Sequence, residues 1–237
     1  MELQRAIMGV SDSEEYLGFW PVAARAWRTI VGIEPTIAVI GEAHLDESLG
    51  TVIRFPQIQG VSIALHSQVI RLLLPALFPE DVCITTDIDI LPLSRSYFRS
   101  ITRGQEADRF VVCRDGAYRI EEQKYPMCYV AARGSTFAEI FGIERRGQIE
   151  ERVREWNALD HGWSTDELVL FSRVQKWSHR RGERLVRLGH TTRRRLDRSH
   201  WRFRILRAWL GLYVDAHLPR PFDRDQGLAL LRAYGID

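Results

Sequence analysis

The chain has 237 residues, of which 45% are hydrophobic and 27% charged, and its formal net charge is +2. These proportions are those of a globular protein with a sizeable core, so they exclude an intrinsically disordered chain. A net charge this small argues against nucleic acid as the main partner. No apolar run approaches the ~20 residues that a membrane-spanning helix needs.

Strands and helices are predicted to alternate over the first ninety residues. Apolar runs predict strands over 6–10, 36–40, 51–55 and 82–88. Apolar residues at helical spacing predict helices over 20–31 and 63–74. This alternation predicts an α/β fold with a mostly parallel central sheet and helices on both faces.

The second half of the chain is predicted to be mixed. Strands are expected over 110–113 and 127–132, and helices over 136–141, 149–159 and 166–177. No internal repeat, low-complexity tract or linker separates a second domain. We therefore predict one domain that covers residues 1–237.

The cysteines and the first residues of the sequence indicate the cellular compartment of the protein. Cys83, Cys113 and Cys128 are odd in number and lie in apolar, strand-like segments, which predicts reduced thiols in the core. Residues 1–5 lack the basic and apolar segments of a secretory signal. We expect a cytoplasmic protein.

The motif Asp87-Ile88-Asp89 stands at the end of the apolar run 82–86. In an extended strand, the two carboxylates would point to the same face, roughly 7 Å apart. They would lie at the carboxyl end of a strand, where α/β sheets usually bind ligands. Two carboxylates so placed repel each other unless a cation lies between them, and a divalent cation that also holds a diphosphate suits them. A second such motif, Asp223-Arg224-Asp225, follows no apolar run and is predicted to be surface.

The strand with Asp87 and Asp89, together with the order of the elements, resembles small bacterial or viral glycosyltransferases of the GT-A fold. The resemblance implies a Mn²⁺ or Mg²⁺ cofactor, a UDP- or GDP-sugar donor and a glycan or glycolipid acceptor. It implies that Asp89 binds the metal directly and that Asp87 contacts the ribose, or the metal through water. It also implies a nucleotide-binding half (1–92) and an acceptor half (93–237) with a basic C-terminal region.

Four further residues are candidate nucleotide contacts under the same resemblance. Ser11 and Asp12 end the first strand, where the loop of GT-A enzymes embraces the base and ribose. Asp12 is equally compatible with an N-cap. Gln68 and Arg71 are three residues apart and share one helix face, and a guanidinium suits a diphosphate. An exposed amphipathic helix explains this pair as well.

Asp166 and Glu167 are the candidate catalytic residues. Ser164 and Glu167 have the spacing of a capping box, which would explain Glu167 as a helix start. Inverting GT-A enzymes often place a base at this position, so the resemblance implies Asp166 as the base, with Glu167 as the substitute. A retaining enzyme needs no dedicated base.

His217 is the candidate third metal ligand. The resemblance implies a late histidine on the metal, and neutral imidazole suits manganese beside a carboxylate. A lone histidine at the surface or in the core is the alternative.

Arginines cluster between Arg180 and Arg207, including the run 193–195, with Trp201 and Trp209 among them. One interpretation is a solvated basic face on a helix that packs its aromatic residues on the sheet. A second is a surface for anionic lipid or a lipid-linked acceptor, at the inner face of a membrane. Nucleic-acid binding is a third, opposed by the balanced overall charge.

Several enzyme classes lack their signatures, since there is no phosphate-binding loop, no dinucleotide-binding glycine motif and no nucleophile elbow. Metal-assisted glycosyl transfer fits best. Nucleotidyl transfer with the same carboxylates, or a non-catalytic module that docks through the arginine-rich face, are the alternatives.

Overall fold

The structure is a computed structural model that describes residues 1–189 and 194–236. Arg193, the first residue of the arginine run 193–195, lies outside the described residues, and so does His190. The strands are β1 (Arg5–Ser11), β2 (Glu34–Ile40), β3 (Thr51–Phe55), β4 (Val82–Thr85), β5 (Ile90–Pro92), β6 (Phe110–Val112), β7 (Val130–Arg133), β8 (Leu185–Arg187), β9 (Arg195–Leu196) and β10 (Asp215–His217). The helices are α1 (Glu14–Leu17), α2 (Trp20–Ala26), α3 (Ile63–Leu73), α4 (Arg95–Thr102), α5 (Gly134–Phe141), α6 (Gly147–Asn157), α7 (Thr165–Arg181), α8 (Ile205–Trp209) and α9 (Arg224–Ala233).

Seven strands form the central sheet, in the order β3-β2-β1-β4-β7-β6-β8. All neighbours are parallel except β7, which runs antiparallel to both β4 and β6. The predicted α/β class, with a mostly parallel sheet and a mixed second half, is confirmed. None of the helices that the structure describes is long and apolar enough to cross a bilayer.

Apolar side chains cover both faces of the central sheet, as parallel strands require. On one face, Phe98 packs edge-on between Trp27 and Tyr129, with ring centroids 4.9 and 5.0 Å away. On the other face, Phe110 and Phe137 pack at 5.3 Å. The three cysteines are free and buried, as predicted. Both faces therefore contribute to the core, and polar side chains are left to the ends of the strands.

The predicted strand 82–88 is wrong at its end, because β4 stops at Thr85. The amide of Thr86 still donates to the carbonyl of Ile7 at 3.0 Å. The amide of Ile90 then donates to the carbonyl of Asp87 at 3.2 Å, which closes a turn. The strand predicted over 127–132 likewise begins only at Val130. The Asp-x-Asp motif thus lies in a turn beyond the sheet.

A small second sheet, in the order β5-β10-β9, packs beyond this turn. The antiparallel register of β5 and β10 pairs Ile90 with His217, and the amide of Leu218 donates to the carbonyl of Asp89 at 2.8 Å. The C-terminal strand therefore carries His217 to the motif turn.

Helix α3 lies unusually close to β1, because residue 9 is a glycine. A Cβ on Gly9 would overlap the carbonyl oxygen of Ser67. This close approach places Gln68 and Arg71 beside the ends of β1 and β4.

Candidate active site

Two adjoining cavities open at the carboxyl ends of β1 and β4. The larger, of about 480 Å³, is lined by residues 9–13 and by Tyr16, Asp89, Arg198 and Arg220. The smaller, of about 270 Å³, is lined by Arg114, Tyr118, Met127, Asp166, Glu167 and Arg195. The two cavities share Gln68, Arg71, Asp87, Trp163 and His217. All nine site residues predicted from the sequence therefore line one cavity or both.

The two motif carboxylates lie in a turn and not on an extended strand, which corrects the expectation that both follow one strand face. The turn directs Asp87 towards the guanidinium of Arg71, and 38% of the Asp87 side chain stays exposed. The side chain of Asp89 is 7% exposed and faces His217. Each carboxylate therefore has its own cationic partners.

Asp89 is surrounded by three basic groups. Its Oδ2 lies 3.3 Å from Nε2 of His217, 3.1 Å from Arg198 and 3.4 Å from Arg220. Burial raises the pKa of Asp89, but the hydrogen bond from His217 and the charges of Arg220 and Arg198 together hold that pKa below its ordinary value. Asp89 is therefore an anion that faces the larger cavity.

Asp89 and His217 fit a divalent cation, since a carboxylate oxygen and an imidazole nitrogen suit manganese. Nδ1 of His217 lies 3.9 Å from Asp197, which is too far for a hydrogen bond, so Asp197 adds a negative charge beside the ring without fixing its orientation. Within residues 1–189 and 194–236, no three His, Cys, Asp or Glu side chains are grouped to hold a metal by themselves. A cation here would therefore take its remaining ligands from a diphosphate and water.

Arg71 is buried and joins two acidic residues at the boundary of the cavities. It pairs with Asp87, and its Nη2 donates to Oδ2 of Asp166 at 3.0 Å. Burial raises the pKa of Asp166, and the charge of Arg71 opposes that rise in part. The interpretation of α3 as a merely exposed amphipathic helix is wrong for Arg71.

Glu167 faces the smaller cavity and does not form the predicted capping box. The hydroxyl of Tyr118 donates to its carboxylate, while Ser164 accepts from Nζ of Lys124 at 2.9 Å and makes no cap. Burial raises the pKa of Glu167 and the hydrogen bond from Tyr118 lowers it, with a net rise. Within the described residues, one carboxylate oxygen of Glu167 accepts no hydrogen bond, whereas both oxygens of Asp166 accept one.

Ser11 and Asp12 end β1 at the far end of the larger cavity. The N-cap of α1 is Ser13, so the alternative role of Asp12 as an N-cap is wrong. Gly41 has φ +123°, and a Cβ there would overlap the carboxylate of Asp12. The glycine thus makes room for this carboxylate beside the cavity.

Two arginines at the larger cavity, Arg198 and Arg220, were not predicted from the sequence. Both reach Asp89 from the C-terminal segment, and Nη1 of Arg220 also donates to the hydroxyl of Tyr16 at 2.5 Å. Arg220 follows His217 by three residues, which was an available signal. Arg198 lies in an arginine-rich stretch in which spacing does not distinguish one side chain from another.

Comparison with known proteins supports the fold. No protein-family model matches the chain, and no curated protein matches it. The galactosyltransferase LgtC, solved with donor and acceptor sugar analogues, superposes with a TM-score of 0.53 at 11% identity, over 98% of this chain and 95% of LgtC. The glycosyltransferase GlyE of Streptococcus pneumoniae TIGR4 gives 0.55 at 10% identity, over 100% of this chain but only 61% of GlyE. This chain therefore has the GT-A fold of nucleotide-sugar glycosyltransferases, as its sequence predicts.

Proposed function

We propose that this protein is a metal-dependent glycosyltransferase that moves a sugar from a nucleoside-diphosphate sugar to a hydroxyl group of a glycan or glycolipid. The observation that supports this best is that Asp89, His217, Arg198 and Arg220 lie together along the larger cavity. A diphosphate bound together with a cation needs two kinds of partner. A carboxylate and an imidazole suit the cation, and two guanidiniums suit the phosphate oxygens.

The donor would place its base and ribose in the larger cavity, near Ser11, Asp12 and Tyr16. Its diphosphate would lie against Arg198 and Arg220. Asp89 and His217 would hold Mn²⁺ or Mg²⁺, with Asp87 assisting, and the bound cation would stabilise the negative charge that develops on the leaving diphosphate.

The transferred sugar and the acceptor would occupy the smaller cavity. In an inverting reaction, the acceptor oxygen bonds to the anomeric carbon while the bond to the diphosphate breaks, and a carboxylate takes the hydroxyl proton. We assign this role to Glu167, because it lines the cavity with one carboxylate oxygen that accepts no hydrogen bond from a described residue, while Asp166 is held by Arg71. The products are a glycoside and a nucleoside diphosphate.

Tyr118→Phe tests which carboxylate is the base. The hydroxyl of Tyr118 lowers the pKa of Glu167, so its removal should raise that pKa further. Because a base must be ionised, the acid limb of the profile of kcat/KM against pH should move to higher pH. The measurement is the initial rate of transfer, or of donor hydrolysis, across the pH range. An unmoved acid limb would assign the base role to Asp166 or indicate a retaining reaction.

We further propose that residues 1–237 act as one catalytic domain in the cytoplasm. Both halves supply the site, since Ser11 and Asp89 come from residues 1–92 and Glu167 and His217 from residues 93–237. Limited proteolysis with and without UDP and Mn²⁺ tests this unit, because ligand binding should protect both halves together.

A further inference from the structure

The apolar side chains of α8 and of the turn after it face solvent. Of the eight large hydrophobic residues that are exposed in the described parts of the chain, five lie within eight positions. They form what we call the apolar patch: Ile205, Leu206, Trp209, Leu210 and Leu212. The exposed fraction of Trp209 is 69%, and Ala208 is the buried residue of α8. An apolar surface of this kind, when it is contiguous, usually marks an interaction site.

The patch is continuous along the helix, because residues four apart are neighbours on a helix surface. Ile205 lies beside Trp209, and Leu206 beside Leu210. By contrast, Trp201 and Phe203, just before α8, are partly buried against the core. The interpretation that aromatic residues of this region pack on the rest of the protein therefore holds for the segment before α8. It does not hold for Trp209 in α8.

The charged residues of the segment that holds the patch are all positive. Arg202, Arg204 and Arg207 are exposed, and none of them forms an ion pair with a described residue. No aspartate or glutamate occurs between positions 198 and 214. Exposed leucine and tryptophan among unpaired arginines suit an interface whose interior is apolar and whose surface is anionic.

We propose that α8 and the apolar patch bind the surface of an anionic lipid bilayer. Leu206, Trp209 and Leu210 enter the acyl boundary, and the arginines pair with lipid phosphates. Tryptophan favours this interfacial depth. Lipid binding of this kind does not require the transfer reaction. Together with the proposed function, it favours a lipid-linked acceptor, because the segments on either side of α8 carry Arg198 and His217 to the donor site.

Vesicle flotation of the full chain tests this. We expect binding to vesicles of phosphatidylcholine with about 30% phosphatidylglycerol and much weaker binding to phosphatidylcholine alone. Leu206→Ser/Trp209→Ser should weaken binding about tenfold or more, since both side chains lose their buried apolar area. Arg204→Gln/Arg207→Gln should weaken it by roughly fivefold per arginine at low salt. All these residues are exposed, so the fold, checked by near-ultraviolet circular dichroism, should not change.

The matched control is Arg119→Gln/Ile120→Ser, which removes an exposed arginine and an exposed apolar residue outside the patch. It should bind vesicles like the wild type, as should Asp89→Ala, which separates docking from donor binding. Equal binding by the wild type and both patch variants would overturn the proposal, as would equal binding to neutral vesicles. The proposal would also be overturned if the wild type formed a dimer that does not bind vesicles and Leu206→Ser/Trp209→Ser made it monomeric. The patch would then be an interface between copies of this chain.

Discussion

Asp89→Ala is expected to abolish the manganese-dependent binding of UDP or GDP. Asp89 is the acidic side chain that faces both His217 and the two arginines at the larger cavity, and its lowered pKa keeps it ionised at neutral pH. Loss of an outer partner of a metal ligand already costs about 10–100-fold in affinity, and loss of a direct ligand should cost at least as much. Calorimetric titration of UDP and GDP, with and without Mn²⁺, measures the effect.

The control is Asp225→Ala, an exposed carboxylate of the second Asp-x-Asp motif, where the neighbouring Asp223 merely caps α9. This variant should bind the nucleotide like the wild type. Unchanged binding by Asp89→Ala would remove Asp89 from the metal site. If the wild type binds neither diphosphate, the proposed function fails. A clear preference for UTP or GTP would support nucleotidyl transfer with the same carboxylates.

Arg71→Met is expected to lower the free energy of unfolding by about 3–5 kcal/mol, the usual effect of removing one partner from a buried ion pair. The side chains of Arg71 and Asp166 are 7% and 5% exposed, so the remaining carboxylate would lose its charge partner where water has little access. The pKa of Asp166, already raised by burial, should rise further. Urea or guanidinium unfolding, followed by tryptophan fluorescence, measures the change.

The sign of the pH dependence follows from that raised pKa. Between the unfolded and folded pKa values of Asp166, the folded state binds more protons than the unfolded state, so stability falls as pH rises. Arg71→Met should widen this window and be more destabilised near pH 7 than near pH 5. The control Arg119→Met, at an 86% exposed side chain, should change stability by less than about 0.5 kcal/mol. A loss below about 1 kcal/mol for Arg71→Met at neutral pH would show that Asp166 is already protonated in the wild type.

Local sequence was enough to predict where most elements lie. Alternating apolar runs and helical spacings depend on neighbours within a few residues, and α3 at Ile63–Leu73 and α7 at Thr165–Arg181 lie where their spacing predicts them. Asp87 and Asp89 were found for the same reason, because they follow a buried run. Strand ends are set less locally, and β4 stops early because a turn closes at Ile90.

By itself, then, the sequence was enough to predict the α/β class and the mostly parallel sheet. It was also enough to select nine residues that line the two cavities in the folded protein. Tertiary structure alone decided how those side chains are paired. The turn after Thr85 separates Asp87, paired with Arg71, from Asp89, paired with His217. Arg198 and Arg220 join Asp89 from more than a hundred residues away, a distance over which periodicity carries no information. The sequence also allowed α8 to pack on the sheet or to face solvent, and only the packing of the whole chain left its apolar side chains exposed.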